Sequence, residues 1–502
     1  MKRVVMTVGL LLSIHFTKAQ ANLLGVWPVS VPLSYINFYD NDSISVDTTG
    51  IWGNVYRHIN SSAIILNQSN ELLFQCNGCK IANKQGITIE NGDSLVDDKF
   101  YNSFGHSGIS ITQGAIALPR DADTWWVFNY SYSDSGRTVG IPSPDQLYGN
   151  IVDIKANGGG GKVIAKKIPL YKGIMGDCRL TACRHANGRD WWLMNHGWNN
   201  NVFNKWLATP DSIYGPYKDS VGTLHREPDL YGMAQFTQDG TKYGMGSENG
   251  LVNIFDFDRC SGEFSNLRTI NAYVEPPWQS GGLISTIMGL CFSPSGRFVY
   301  LSGFKYLLQY DTQADTIDST RALIAKYDTS YSNTEPFFLS ALSPQNKIIV
   351  SNLQGGVGSP YHVIESPDSG GLACGFMKEV IAIPGSYDNN CLPNVVNLKL
   401  GAMVGSGCDT ITTDIRHETQ DNRQMQMQVF PNPANEVLYI EEHELKSKGT
   451  LEIYDAMGRR VYVNKGFDEA TGVRVKEWGE GLYFYSLKTK AKDYSGKFIV
   501  YH

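Results

Sequence analysis

The sequence predicts an all-β protein: a β-propeller of six or seven blades followed by a small C-terminal β-sandwich. Three observations carry this. Glycine supplies 51 of the 502 residues and aromatic residues 12%. With abundant Val, Ile, Tyr and Phe, that composition favours short strands joined by tight turns. Long amphipathic helical patterns are not found. A strand–turn–strand unit also recurs at intervals of about 50 residues, the period of a propeller blade.

The unit is clearest at Gly289–Ser302 and at Leu339–Ser351. Each has a strand, a Ser-Pro-x-Gly or Ser-Pro-x-Asn turn, then a second strand of large apolar residues. It returns at Phe236–Met245 and Leu66–Phe74, and more loosely at Leu118–Phe128 and Arg184–Met194. The residues before the six turns are 66, 118, 184, 236, 292 and 342. Turn residues set the local dihedrals, and the apolar runs require burial on both faces. A single hairpin sheet cannot bury both faces alone, so copies must stack. Pairing Ser34–Asp47 with a segment near Val395–Leu400 is expected to complete a seventh blade.

Domain organisation follows from the flanks. Lys2 and Arg3 precede an apolar run, Val4–Phe16, with Ala19 at the expected cut. This is a signal peptide over 1–19, its apolar run too short to span a bilayer comfortably. The propeller is assigned to 20–405. A polar, aperiodic linker covers 406–428. A β-sandwich of about seven strands covers 429–502. Net charge is −6, and between signal and tail the chain carries 29 basic against 38 acidic residues. That balance disfavours a phosphate backbone, so nucleic acid is not an expected partner.

Two resemblances sharpen this. Phe292-Ser-Pro-Ser-Gly-Arg-Phe-Val-Tyr-Leu-Ser302 is similar to the strand signature of WD40/YVTN-like propellers, without the Trp-Asp dipeptide of true WD40 repeats. Cys391-Leu-Pro-Asn-Val-Val-Asn-Leu-Lys-Leu-Gly401 resembles the closing segment of secreted propellers that accompany type IX sorting domains. In the tail, Phe430-Pro-Asn-Pro433, Tyr454-Asp-x-x-Gly-Arg459, Gly481-Leu-Tyr483 and Lys497-Phe-x-Val500 stand in the order of a type A sorting domain of type IX secretion. Pro431, Asn432, Pro433, Gly458, Gly481 and Lys497 carry that motif. The resemblance implies passage through the periplasm and outer membrane by the type IX machinery. The tail would then be removed and the product anchored at the surface or released. The same resemblance marks eight tripeptides, Asp then Ser or Thr then Ala, Ile, Leu, Met, Thr or Val, as O-glycosylation acceptors: Ser43, Thr48, Ser94, Ser212, Ser220, Thr316, Ser319 and Thr410.

Cysteines number nine. In an oxidising compartment the pairs close in sequence are disulfide candidates: Cys76 with Cys79 across an Asn-Gly turn, Cys178 with Cys183, and Cys374 with Cys391. Gly158–Gly161 before Lys162 lacks the Ser/Thr and helix of a phosphate loop. No metal site and no cofactor are expected. The Trp125-Trp126 and Trp191-Trp192 pairs lie on matching strands of adjacent repeats and are expected in the core. After the second pair, Asn195–Trp206 is polar and tryptophan-bearing, longer than a blade turn requires. His196, Trp198, Asn199 and Asn200 are the candidate ligand residues, suited to a hydroxylated ligand. The expected function is an exported propeller binding a glycan or protein, and not an enzyme. The alternatives are a glycan-active hydrolase or lyase and a structural part of the cell surface or gliding machinery.

Overall fold

The computed structural model describes residues 22–29, 33–48, 56–58, 60–97, 101–102, 108–133, 143–226, 231–272, 287–327, 337–353, 360–383, 391–408, 428–432, 434–441, 449–455, 459–467, 472–489 and 493–501. The signal segment, most of the linker, Thr410, Pro433 and Gly458 lie outside them. Residues 1–412 and 413–502 form two compact units.

Among the described residues the first unit holds seven antiparallel sheets, each a blade. Blade one has β1 (Leu23–Val29), β2 (Ser34–Tyr39) and β3 (Ile44–Thr48). Blade two has β4 (Ala63–Leu66), β5 (Leu72–Cys76) and β6 (Ile81–Asn83). Blade three has β7 (Ala115–Pro119), β8 (Thr124–Ser131), β9 (Gln146–Asp153) and β10 (Lys162–Lys172). Blade four has β11 (Thr181–Arg184), β12 (Trp191–His196), β13 (Val202–Ala208) and β14 (Ile213–Ser220). Blade five has β15 (Ala234–Phe236), β16 (Lys242–Gly246), β17 (Leu251–Phe257) and β18 (Phe264–Asn271). Blade six has β19 (Ile287–Phe292), β20 (Phe298–Gly303), β21 (Tyr306–Asp311) and β22 (Ala322–Lys326). Blade seven has β23 (Phe337–Leu342), β24 (Ile348–Asn352), β25 (Tyr361–Ile364) and β26 (Phe376–Ile381).

Within each blade the inner two or three strands are buried almost throughout, as in β19 and β20, while the outermost alternates. The inner strands sit between neighbouring sheets, and apolar side chains on both faces close the gaps. The indoles do this with a polar tie as well. Trp126 Nε1 donates to Thr209 O (3.0 Å), Trp191 Nε1 to Pro119 O (3.2 Å) and Trp192 Nε1 to Arg259 O (3.0 Å), each across a blade boundary. All four paired tryptophans are core, as the sequence indicates.

The ring closes between blades seven and one without a shared strand. Gln345 Nε2 donates to Tyr39 O (2.9 Å) and Ser43 O (2.8 Å), and Lys347 pairs with Asp42 (2.8 Å). On the other side of blade one, Asn70 Nδ2 donates to Leu23 O (3.3 Å) and Gln75 Nε2 to the Tyr35 hydroxyl (2.9 Å).

Asn70 lies in the turn joining β4 to β5, so β1 begins at the end of the ring where every other blade's first strand finishes. β1 therefore runs as a second strand does, and among the described residues blade one has no innermost strand. Val395–Leu400 does not supply it. Among the described residues this segment forms no ladder, and β1 pairs as a strand with β2 alone. The expected strand pairing of 395–400 with blade one is corrected accordingly.

In the second unit, β27 (Gln428–Phe430), β28 (Val437–Glu441) and β31 (Val473–Arg474) make one sheet. The other comprises β30 (Arg460–Phe467), β29 (Gly449–Asp455), β32 (Gly481–Lys488) and β33 (Asp493–Val500). Leu438, Ile440, Leu451, Ile453, Tyr485 and Phe498 form the core of this sandwich.

Candidate functional site: the central channel

The chain leaves blade seven and crosses the channel from the end bearing the blade-to-blade connections to the end bearing the first turns of the blades. At the entry, Asn394 N donates to Ser62 O (2.7 Å), and its Nδ2 donates to Ala115 O (3.0 Å) and Leu180 O (2.8 Å). One buried residue, through its backbone and side-chain amides, thus ties the starts of three blades. Gln113 spans to a fourth, its Nε2 donating to Ala234 O (2.8 Å) and its Oε1 accepting from Ala234 N (2.9 Å).

At the exit, Asn397 Nδ2 donates to Gln238 O (2.7 Å) and Met403 N to Ala186 O (2.8 Å). Buried Arg259 donates to Gly401 O (2.5 Å), Arg184 O (2.9 Å) and His185 O (3.3 Å). Cys260, next in sequence, is disulfide-bonded to Cys408, with Cα atoms 5.6 Å apart. The crossing segment is thereby fixed at both ends.

Beside blade one, which has no inner strand among the described residues, the crossing segment does not fill the channel. A cavity of about 210 Å³ remains at the turn end, lined by residues of β1, β4, β7, β11, β15 and β23 and by Val395–Leu400. Four consecutive residues of β1, Leu24 to Trp27, line it. The lining carries eight neutral polar side chains, amides of Asn70, Gln235, Gln238, Asn346 and Asn397 among them. Its charged side chains are Arg184 and Lys399.

The residues singled out by sequence lie elsewhere, on the opposite end of blade four. Asn195 and His196 belong to β12, and β13 begins at Val202, so the connection is five residues closed by Gly197 N donating to Val202 O (2.7 Å). That is an ordinary hairpin, and the expectation of an extra-long loop is corrected. His196 is fully buried; its Nδ1 bonds Gly197 O (2.8 Å) and its ring meets Phe203 and His225 edge-on. Burial, then the Arg179 charge, then His225 push its pKa well below the usual value. Asn200 Oδ1 accepts from Val202 N (2.8 Å), and Asn199 takes a left-handed turn position (φ 52°). Trp198 is half-buried and Asn199 exposed.

Beneath this hairpin sits a cluster that sequence reasoning missed. Asp177, Arg179, His196 and His225 are all buried. Burial pushes the Asp177 carboxyl up to about 8, with Arg179 opposing, and pushes His225 down to about 3. Only the linear segment Asp177-Cys-Arg179 could have hinted at it, and nothing there marks burial.

The six cysteine candidates are all buried thiols rather than disulfides, a third correction. Asn77 N donates to Lys80 O, so the turn is Asn77–Lys80, and Cys76 faces Ala63 and Ile81 across its two ladders instead of Cys79. Cys178 Sγ is turned to Thr112 Oγ1 (3.2 Å), while Cys183 Sγ packs against Gly240 O (3.9 Å) toward blade five, so the two thiols face different neighbours. Cys374 lies beside Tyr300, while the Cys391 carbonyl accepts from Tyr361 (3.2 Å). Of the glycosylation candidates, Ser43, Thr48, Ser212, Ser220, Thr316 and Ser319 are exposed and Ser94 is half-buried. In the tail, Asn432 Oδ1 accepts from Ile499 N (2.9 Å), tying the first motif to the last strand; Pro431 and Lys497 are exposed, and Gly481 has φ 150°. Among the described residues no three His, Cys, Asp or Glu side chains group to hold a metal, and no helix is long and apolar enough to cross a membrane.

Residues 428–501 match the family model described as the secretion system C-terminal sorting domain. The tail is a type IX sorting domain. The chain is therefore a type IX cargo, delivered to the cell surface or beyond. No curated protein matches it. Solved structures resemble it at fold level. A Bacteroides fragilis protein assigned as a 6-phosphogluconolactonase is 11% identical, covering 76% of this chain and 99% of its own (TM-score 0.46). The β-propeller domain of Myceliophthora thermophila Cps50 (Swd1) is 10% identical, covering 66% and 94% (0.35). PorZ, a surface component of the type IX secretion system of Porphyromonas gingivalis, is 12% identical, covering 96% and 70% (0.29). Similarity at this level does not transfer activity.

Proposed function

We propose that this exported propeller is a glycan-binding protein that receives its ligand in the central channel, at the end bearing the first turns of the blades. The observation that carries the reading is the cavity of about 210 Å³ left beside β1, with its amide and hydroxyl lining. Convergent side-chain amides on a rigid scaffold suit a hydroxylated ligand, whose hydroxyls both donate and accept. Ligand clefts usually measure roughly 300–1,000 Å³. This smaller cavity suits a single sugar unit or a chain end.

The test is a glycan array probed with the mature secreted protein and with its Gln238→Trp variant. Gln238 is half-buried in the β15–β16 turn at the cavity, and its backbone carbonyl, not its side chain, holds Asn397. An indole there blocks the cavity with the ring ties intact. Glycans retained by the wild type and lost by the variant, at unchanged melting temperature, are expected. Retention indifferent to the substitution, or no retention at all, refutes the reading.

A further inference from the structure

The cavity has an electrostatic character that the chain as a whole does not. Between its signal and tail the chain carries 29 basic and 38 acidic residues. Among the described residues, however, the cavity lining holds two cations, Arg184 and Lys399, and no carboxylate. Lys399 is exposed at the mouth, on the crossing segment that Arg259 and the Cys260–Cys408 disulfide hold in place.

Arg184 is the more informative of the two. Its guanidinium stacks on Trp191, 4.4 Å from the ring centroid, and donates from one terminal nitrogen to Gly188 O (2.9 Å). Its Nε is buried without a hydrogen-bond partner among the described residues. A second guanidinium, Arg259, lies close enough to repel it, and each is held in hydrogen bonds to backbone carbonyls rather than to a carboxylate. Burial and then the Arg259 charge lower the Arg184 pKa. The carboxylate acting on this group is Asp239, which favours the charged form of Arg259 but is itself engaged by the hydroxyls of Thr237 and Thr241. Two like charges kept partly out of water without a paired anion cost stability unless something negative offsets them.

We propose that the channel cavity takes an acidic sugar, a hydroxylated ring bearing a carboxylate, with the carboxylate set toward Arg184 and Lys399 and the hydroxyls toward the amides. This rests on the glycan-binding reading of the same cavity and adds the charge of the ligand. An arginine presents a planar fork matched to a carboxylate, and in a half-buried cleft such a charge-assisted bond discriminates more strongly than a neutral one.

The experiment is a titration of the mature secreted protein, followed by calorimetry, with D-glucuronic acid, with D-glucose as its neutral counterpart, and with inorganic phosphate as an anion without a ring. The same titrations use Lys399→Glu, a change at an exposed position that leaves the fold intact, and Gln238→Trp, which blocks the cavity. Glucuronic acid is expected to bind at least tenfold more tightly than glucose, to weaken about tenfold in Lys399→Glu, and to be lost in Gln238→Trp. Equal affinity for the two sugars, or indifference to Lys399→Glu, overturns the proposal. Phosphate binding as tightly as glucuronic acid overturns it too, because the ring then contributes nothing. If neither sugar binds while a neutral glycan is retained on the array in a Gln238-dependent way, the acidic class fails and the glycan reading stands. If no carbohydrate binds in that way, both fail.

Discussion

Replacing Asn394 with alanine should destabilise the whole propeller, although the residue lies in no strand and on no blade. Its side-chain nitrogen donates to Ala115 O and Leu180 O at 3.0 and 2.8 Å, both at the starts of inner strands. Each bond contributes about 1 kcal/mol, and a buried carbonyl left without a donor costs about 1–3 kcal/mol. The two together give a loss of about 3 kcal/mol, within a span of roughly 2–5. At about 2.1 cal/mol/K per residue, a unit of roughly 390 residues unfolds with about 0.8 kcal/mol/K, so Tm should fall by about 4 °C.

The assay is a thermal melt of the mature protein at one scan rate, beside Asn397→Ala. That control removes two bonds at a half-buried site, to Gln238 O and from Lys399 N, where water can replace both, and should move Tm by only about 1–2 °C. Asn394→Asp keeps the shape but removes the donor, and should cost at least as much as alanine. Backbone exchange over 391–403 should rise together with the loss of Tm. If Asn394→Ala melts within 1 °C of the wild type, or no lower than Asn397→Ala, the crossing segment does not tie the blades together and the reasoning is wrong.

Two further outcomes follow from the buried polar groups of blade four. Asp177 holds its proton in the folded state up to about pH 8, whereas the unfolded chain releases it near 4, so its contribution to stability falls as pH rises between those values. His225, folded value about 3, gives the opposite slope up to about 6.5, leaving pH 6.5–8 as the window where Asp177 acts without that offset. At about 1.4 kcal/mol per pH unit the fall is about 2 kcal/mol, and Asp177→Asn should flatten the wild-type drop of about 2–3 °C between pH 6.5 and 8.5; parallel curves would refute it. Trp206, 1% exposed, should cost about 3–5 kcal/mol as alanine, and half-buried Trp198 less than about 2; equal losses would show that Trp198 is core.

The blade repeat was legible because its signal is local. The positions 66, 118, 184, 236, 292 and 342 all fall at or within one residue of the ends of β4, β7, β11, β15, β19 and β23. Turn residues and apolar runs determine that hairpin without help from distant chain. Blade one escaped because, among the described residues, it has no inner strand and so no first turn of the repeating kind to recognise.

The same limit explains the misplaced ligand site. Asn195, His196, Asn204 and Lys205 look like a polar loop, yet they are buried in β12 and β13. There Asn204 Nδ2 bonds Asn195 Oδ1 (3.1 Å), and Lys205 is held by Asp219 and Gly262 O. Polarity suggests a loop only where nothing in the fold satisfies it. The disulfide fails for a related reason, since its partners are 148 residues apart and no short spacing marks them.

The path of the crossing segment bears on export. The described contacts that close the ring lie at or before Cys408, at the start of the linker: the Gln345 and Lys347 contacts to blade one, the Asn394 tie, the Arg259 hold on Gly401, and the disulfide itself. The sorting domain begins only at 428 and has its own core. Cutting the chain anywhere beyond Cys408 therefore removes the sorting domain without removing any of these contacts. The disulfide adds to this, because it ties the segment to blade five at its last fixed point and limits fraying of the new end back into the channel. The same tie holds the segment that carries Lys399, so one covalent link serves both ring closure and the shape of the cavity.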